Sequence, residues 1–206
     1  MINVFEPEVS IKHYRQIYKT LRNKELSGSS QIVQEFEQNI ANYFDREFCI
    51  STSNGSNSLD LALNCFDFKK HDEVIIPSFT IISCLAAVVR SGATPVFCDV
   101  DVDTWNMTLD NLKSAVTKKT KAVLMVHTYG LAAEADLIYD YCKKKGLILI
   151  EDSAEAHGQM VENKKCGSFG DISTLSFYAN KHVTTGEGGA VLTDDKHLFK
   201  KLQQMK

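Results

Sequence analysis

The pattern of apolar and polar positions changes period at residue 48. Before it, residues 8–24 form an amphipathic stretch of mixed charge that predicts a helix. Gly28-Ser29-Ser30 then opens a second helical pattern, Val33, Phe36, Ile40, Ala41 and Phe44, at spacings of three and four, with Ser30 as its expected N-cap. From residue 48 onward, short apolar runs alternate with amphipathic ones. Strands are predicted at 48–52, 74–77, 95–99, 122–127, 147–151, 172–177 and 190–193, with helices at 56–66, 80–91, 109–116 and 134–145. Strands of Val/Ile/Leu type separated by helices imply a mostly parallel seven-stranded sheet covered on both faces, an α/β architecture. The connection from 177 to 190 carries no helical pattern, so the last strand is expected to run antiparallel. A charged helix follows over Asp195 to Lys206. No repeat, low-complexity tract or Pro/Gly-rich linker interrupts the alternation. The expected organisation is an N-terminal helical arm over 1–27 and one α/β domain over 28–206.

Composition narrows the function without naming it. The 206 residues are 44% apolar and 24% charged, as in an ordinary soluble globular protein. A net charge of -3 offers no electrostatic basis for nucleic acid or anionic membrane as a partner. The basic clusters Lys69-Lys70, Lys118-Lys119 and Lys143 to Lys145 sit beside acids or at helix ends and read as solvated faces. The cysteines at 49, 65, 84, 98, 142 and 166 form no CxxC pair and no disulfide-framework spacing; most lie in apolar runs and behave as small core residues. With no signal peptide and no apolar run of transmembrane length, the chain is expected in the cytoplasm. The histidines make no zinc-like cluster, so no metal is expected.

In open parallel sheets, ligands gather at the carboxyl ends of the strands. Four groups of residues fall there. Ser51 to Asn57 ends a strand and opens a helix, where backbone amides and Gly55 can cradle a phosphate; a plain capped turn reads as well from spacing alone. Glu151-Asp152-Ser-Ala-Glu155-Ala-His157-Gly158 follows an apolar strand, and two acids at a buried strand end need a cationic partner or a helix dipole. Ser176 ends another strand, five residues before Lys181 in a glycine-rich passage to Gly189. His127-Thr-Tyr129-Gly130 ends a fourth, with a structural histidine as good a reading as a catalytic one. Neither GxGxxG nor a Walker loop occurs, which removes dinucleotide and ATP sites. A phosphate cradle, a strand-end carboxylate and a lysine amine together suit pyridoxal phosphate.

The stretches Phe36-Glu37, Asn54-Gly-Ser56, Asp72 to Pro77, Gly92 to Asp99, Val126 to Gly130, Glu151 to Gly158 and Ser176 to Gly189 resemble, in order, the DegT/DnrJ/EryC1/StrS family of aminotransferases acting on nucleotide-linked keto-sugars. The resemblance implies a fold-type I cofactor-binding large domain over 28–206. It makes Lys181 the Schiff-base lysine and Asp152 the partner of the pyridine nitrogen. Gly55, Ser56 and Ser176 would hold the phosphate, and Glu155 would lie near the cofactor's phenolic oxygen. Glu155 is similar in this to perosamine-type synthases, which aminate C4 of a GDP-linked sugar. The aromatic residue that covers the pyridine ring in the family falls at Ile81, an aliphatic replacement. Also implied are pyridoxal phosphate as cofactor, an amino-acid donor of glutamate type, a nucleotide-linked keto-sugar acceptor, a homodimer, and a product destined for a polysaccharide or glycan. Family members carry a C-terminal small domain that this chain does not contain, so it is expected to bind cofactor weakly and turn over slowly. Two other readings stay open at this point: a non-catalytic, cofactor- or partner-binding remnant, and the sugar 3-dehydratases of the same fold, which carry histidine where Lys181 stands.

Overall fold

In the computed structural model, which describes residues 8–206, the strands and helices that the pattern predicts begin and end within two residues of their expected bounds, except that the first helix starts at Ile11 instead of residue 8. The strands are β1 (Phe48–Thr52), β2 (Glu73–Pro77), β3 (Thr94–Cys98), β4 (Thr120–Val126), β5 (Ile148–Asp152), a short β6 (Met160–Val161) and β7 (Lys164–Lys165), β8 (Ile172–Ser176) and β9 (Gly189–Thr193). The helices are α1 (Ile11–Arg22), α2 (Gln31–Tyr43), α3 (Gly55–Asn64), α4 (Ile82–Arg90), α5 (Leu109–Ala115), α6 (Ala135–Lys145) and α7 (Lys196–Met205). The β6–β7 hairpin is not predicted by the sequence pattern. Two residues per strand, with lysines and a methionine, leave too little periodicity to register.

The long strands form one seven-stranded sheet in the order β1-β9-β8-β5-β4-β2-β3. The pairs β2–β3, β2–β4, β4–β5 and β5–β8 are parallel, and β9 runs antiparallel to both its neighbours. This is the mostly parallel sheet that the alternation predicted, with its last strand reversed. Period-2 alternation splits the apolar residues between two faces. Val74, Ile76, Leu124, Ile150 and Val191 face α3, α4 and α7, while Ile75, Val123, Met125 and Leu149 face α5 and α6. Helix α2 covers the β1–β9–β8 end of this second face through Ala41 and the Phe36–Phe177 edge contact. At about 2 kcal/mol per buried aliphatic side chain, these two layers are the main source of stability.

Ser30 stands at the N-cap of α2, but its hydroxyl is buried and accepts no hydrogen bond from the helix. The expected position is right and the capping bond is absent. Of the arm expected over 1–27, residues 1–7 lie outside the described residues. Helix α1 within it buries none of its residues. No helix among the described residues is long and apolar enough to cross a membrane.

Candidate active site

The strand order places the ends of β4, β5 and β8 side by side, and the site is assembled from the segment that leaves each strand. On β5 the last two residues are acids, and strand alternation sends them to opposite faces. Asp152 turns toward α3 and α4 and is 3% exposed. It accepts hydrogen bonds from Ala154 N–H (3.0 Å), the Cys84 thiol (3.4 Å) and the Thr174 hydroxyl (3.4 Å). Burial pushes its pKa up, against the pull of Ala154 N–H, the Cys84 thiol and the Lys181 ammonium. An acid in this position has unused capacity for a cation.

Glu151 turns the other way and is completely buried. It accepts from the N–H groups of Gly167 (2.6 Å), Phe169 (2.8 Å) and Gly170 (2.9 Å), from the hydroxyls of Ser153 and Ser173, and from His127. Ala133 N–H approaches His127 Nδ1 at 3.1 Å, which leaves Nε2 to carry a proton toward Glu151 at 2.9 Å. Burial alone would raise the Glu151 pKa. The His127 hydrogen bond and the loop N–H groups outweigh it and hold the carboxyl at about 2. The buried acid is thus met by N–H and O–H dipoles and by the His127 ring, whose pKa burial would lower but the Cys166 and Glu151 contacts raise to about 9. His127 belongs to this structural network, although one side of it reaches the cavity wall.

The start of α3 lies against the end of β8. Asn54 caps the helix by accepting from Asn57 N–H at 2.9 Å. A Cβ at Gly55 would meet Ser176 Cβ at 2.8 Å, so only glycine lets the helix terminus approach the strand this closely. The Ser56 hydroxyl meets that of Ser83 at 2.8 Å and joins the starts of α3 and α4. Free amide groups and hydroxyls at a helix N-terminus form an anion cradle.

Lys181 lies in the loop from β8 to β9. Thr184 Oγ1 and Thr185 N–H both donate to Phe177 O, and Phe177 N–H donates to Gly188 O, which pins the loop. The Lys181 ammonium donates to Glu155 Oε1 at 2.8 Å, and Tyr129 N–H donates to Glu155 Oε2 at 2.8 Å. Burial raises the Glu155 pKa, but Lys181 and Tyr129 N–H together bring it below the ordinary value.

Gly55, Ser56, Ile81, Asp152, Glu155, Ser176 and Lys181 all line one cavity of about 640 Å³. Residues spread over more than a hundred positions of sequence are therefore brought together. Ile81 is the N-cap residue of α4 and is 61% exposed, on the cavity wall. Sequence reasoning missed Ser83, Phe79 and Cys84, and it placed Tyr129 in a strand-end group without giving it a role. Cys84 reads in the sequence as a small core residue, and it is buried, yet its thiol also donates to Asp152. Nothing in its flanking residues signals that contact. All six cysteines are buried and free.

Comparison with known proteins gives a consistent picture. The DegT/DnrJ/EryC1/StrS aminotransferase family model matches residues 9–206. A GDP-perosamine synthase of Escherichia coli O157:H7 is 39% identical over 96% of this chain and 54% of that protein. Among solved structures, an aminotransferase from Psychrobacter cryohalolentis superposes with a TM-score of 0.91 at 35% identity, covering 97% of this chain and 51% of the other. An E. coli GDP-4-keto-6-deoxy-D-mannose-3-dehydratase with bound hydrated PLP gives 0.93 at 29% identity, over 98% of this chain and 54% of the other. The chain spans about half the length of the relatives it matches.

Proposed function

The chain belongs to the DegT/DnrJ/EryC1/StrS aminotransferase family, and from that premise we propose that it carries the pyridoxal phosphate site of an aminotransferase that transfers an amino group from a glutamate-like donor to a nucleotide-linked keto-deoxy sugar. The observation that carries the reading is the convergence of Lys181, Asp152 and the Gly55–Ser176 contact on one cavity.

The residues fit the cofactor. The α3 N-terminus, brought against Ser176 because Gly55 has no Cβ, together with the hydroxyls of Ser56 and Ser176, suits a phosphate. Asp152 suits a protonated ring nitrogen, because its buried carboxylate is short of positive charge. Ile81 offers an aliphatic wall for a ring, without the roughly 0.5–1.5 kcal/mol of an aromatic stack. When bound, pyridoxal phosphate supplies an aldehyde and an electron-withdrawing ring. The protein's own part is positional and acid–base. Asp152 holds a proton on the ring nitrogen. The Lys181 amine takes up and returns a proton between carbon centres. Glu155 accepts from the Lys181 ammonium, and so keeps the free lysine pointed into the cavity.

Lys181 favours amino transfer over the dehydratase reading, because the family's dehydratases carry histidine at this position. A homodimer, a cytoplasmic setting and a product used in polysaccharide or glycan synthesis belong to the same proposal; six free, buried cysteines support a reducing compartment. The test is pyridoxal phosphate titration followed by borohydride reduction. We expect a visible absorbance band and cofactor fixed on a peptide containing Lys181, both absent in Lys181→Ala, which should keep its fold. Equal trapping by Lys181→Ala, or no capture by the parent chain, would sink the proposal.

A further inference from the structure

Three aromatic side chains from three separate loops stand open at the mouth of the Lys181 cavity. Phe79 follows β2, Trp105 lies between β3 and α5, and Tyr129 follows β4. Their ring centroids are 5.4 Å (Phe79–Trp105), 6.2 Å (Phe79–Tyr129) and 6.3 Å (Trp105–Tyr129) apart. They are not a core cluster: Phe79 is 41% exposed, Trp105 50% and Tyr129 71%. Phe79 and Tyr129 are part of the cavity lining, so the aromatic surface is continuous with the space that Lys181 and Asp152 face.

The backbone adds a second observation. Trp105 and Tyr129 both have positive φ, 57° and 53°, a conformation that costs a residue with a side chain of order 1 kcal/mol. Each is held there by hydrogen bonds. Trp105 N–H donates to Asp101 O at 2.8 Å, and Tyr129 N–H donates to Glu155 Oε2, the carboxylate that also holds Lys181. The fold thus keeps two large aromatic rings in water, at a backbone cost, beside its most reactive group. A planar, aromatic ligand offers what these rings lack, a partner face.

We propose that Phe79, Trp105 and Tyr129 form the stacking platform for the base of the nucleotide-linked substrate, with the sugar end directed toward Lys181. The identity of the ligand rests on the nucleotide-sugar reading above; the platform rests on the three rings. Recognition through ring faces is tolerant of base identity, because every base presents a π-face. Purine and pyrimidine nucleotides are therefore expected to bind with affinities within about tenfold of each other.

Trp105 is the chain's one tryptophan, which makes its fluorescence a direct reporter. The full 206-residue chain is titrated with GDP, dTDP and inorganic pyrophosphate. Saturable quenching by both nucleotides and none by pyrophosphate is the expected result. Phe79→Ala and Tyr129→Ala should each weaken nucleotide binding by about fivefold or more. Because both side chains are exposed, each variant should keep the parent's circular dichroism. Absence of quenching, or equal quenching by pyrophosphate, overturns the platform. So does fluorescence that shifts with protein concentration in the absence of nucleotide, which would mean that a second copy covers the rings. Borohydride trapping on Lys181 in the same samples separates the two proposals. Trapping without nucleotide quenching removes the platform and leaves the cofactor site. Quenching without trapping removes the cofactor site and leaves a nucleotide-binding surface.

Discussion

Glu151 and Asp152 are adjacent on one strand, carry the same charged group and are both almost fully buried, yet their surroundings are opposite. Glu151 faces a loop that supplies three N–H groups, together with two hydroxyls and an imidazole. That loop is itself held by Arg46, whose guanidinium donates to Ser168 O and Gly170 O at 2.9 and 3.0 Å. Asp152 faces a cavity and has one backbone N–H, one thiol and one distant hydroxyl. The consequence shows in their opposite acidities: Glu151 is held at about 2, Asp152 is raised. A saturated buried carboxylate stabilises the fold and does nothing else. An under-satisfied one destabilises it slightly and is available for a ligand's charge.

The contrast is open to attack at several points. The largest effect is expected for Glu151→Ala, which strands three N–H groups, two hydroxyls and the His127 donor without a partner. We expect a loss of about 3–5 kcal/mol in urea unfolding. A loss below about 1 kcal/mol would show that the loop re-pairs its donors and that Glu151 is not its anchor.

Asp152→Asn should behave in the reverse manner. Stability should stay within about 1 kcal/mol of the parent, or rise, because a desolvated charge is removed. An amide cannot hold the ring-nitrogen proton, so turnover of a complete family enzyme carrying this change should fall by roughly a hundredfold or more. Near-parental turnover would assign that role to another group.

A smaller effect, and the finest discrimination, is in acid. Glu151 has a depressed pKa, so its contribution is present above its unfolded value of 4.5 and is lost as pH falls from there through about 2. His157 also has a depressed pKa, about 4 against 6.5, mainly from burial and then from His182 and Lys181. The unfolded chain takes up this proton first, so the His157 contribution is lost earlier, between pH 6.5 and about 4. At most about 3 kcal/mol is involved. Its ring stacks on Phe177 with centroids 5.5 Å apart and planes 4° apart, and both ring nitrogens lack partners. His157→Phe keeps the stack and removes the titration. A melting temperature flat from pH 6.5 to 4.5 in this variant, where the parent falls, is the expected outcome. Equal acid sensitivity in both would place the titrating group elsewhere.

Much of this molecule was determined by the sequence itself. Local periodicity marks each long strand, since alternation and amphipathicity are properties of neighbouring residues. The missing helical pattern over 177–190 was enough to reverse β9. Strand-end chemistry was legible for the same reason: Gly55, Ser56, Asp152, Glu155, Ser176 and Lys181 lie in segments that leave apolar runs, Ile81 entered through the family resemblance, and all seven reach one cavity. Only the tertiary structure decided how those ends are used. The order β1-β9-β8-β5-β4-β2-β3 is not the order of the chain, so it alone brings Cys84 to Asp152, Ser83 to Ser56 and Phe79 to Tyr129. It also divides two adjacent acids between opposite faces and delivers the 166–170 loop to one of them. Sequence periodicity reports which face a residue occupies. What waits on that face depends on segments far along the chain, and the contact energies that settle it exist only once the sheet has closed.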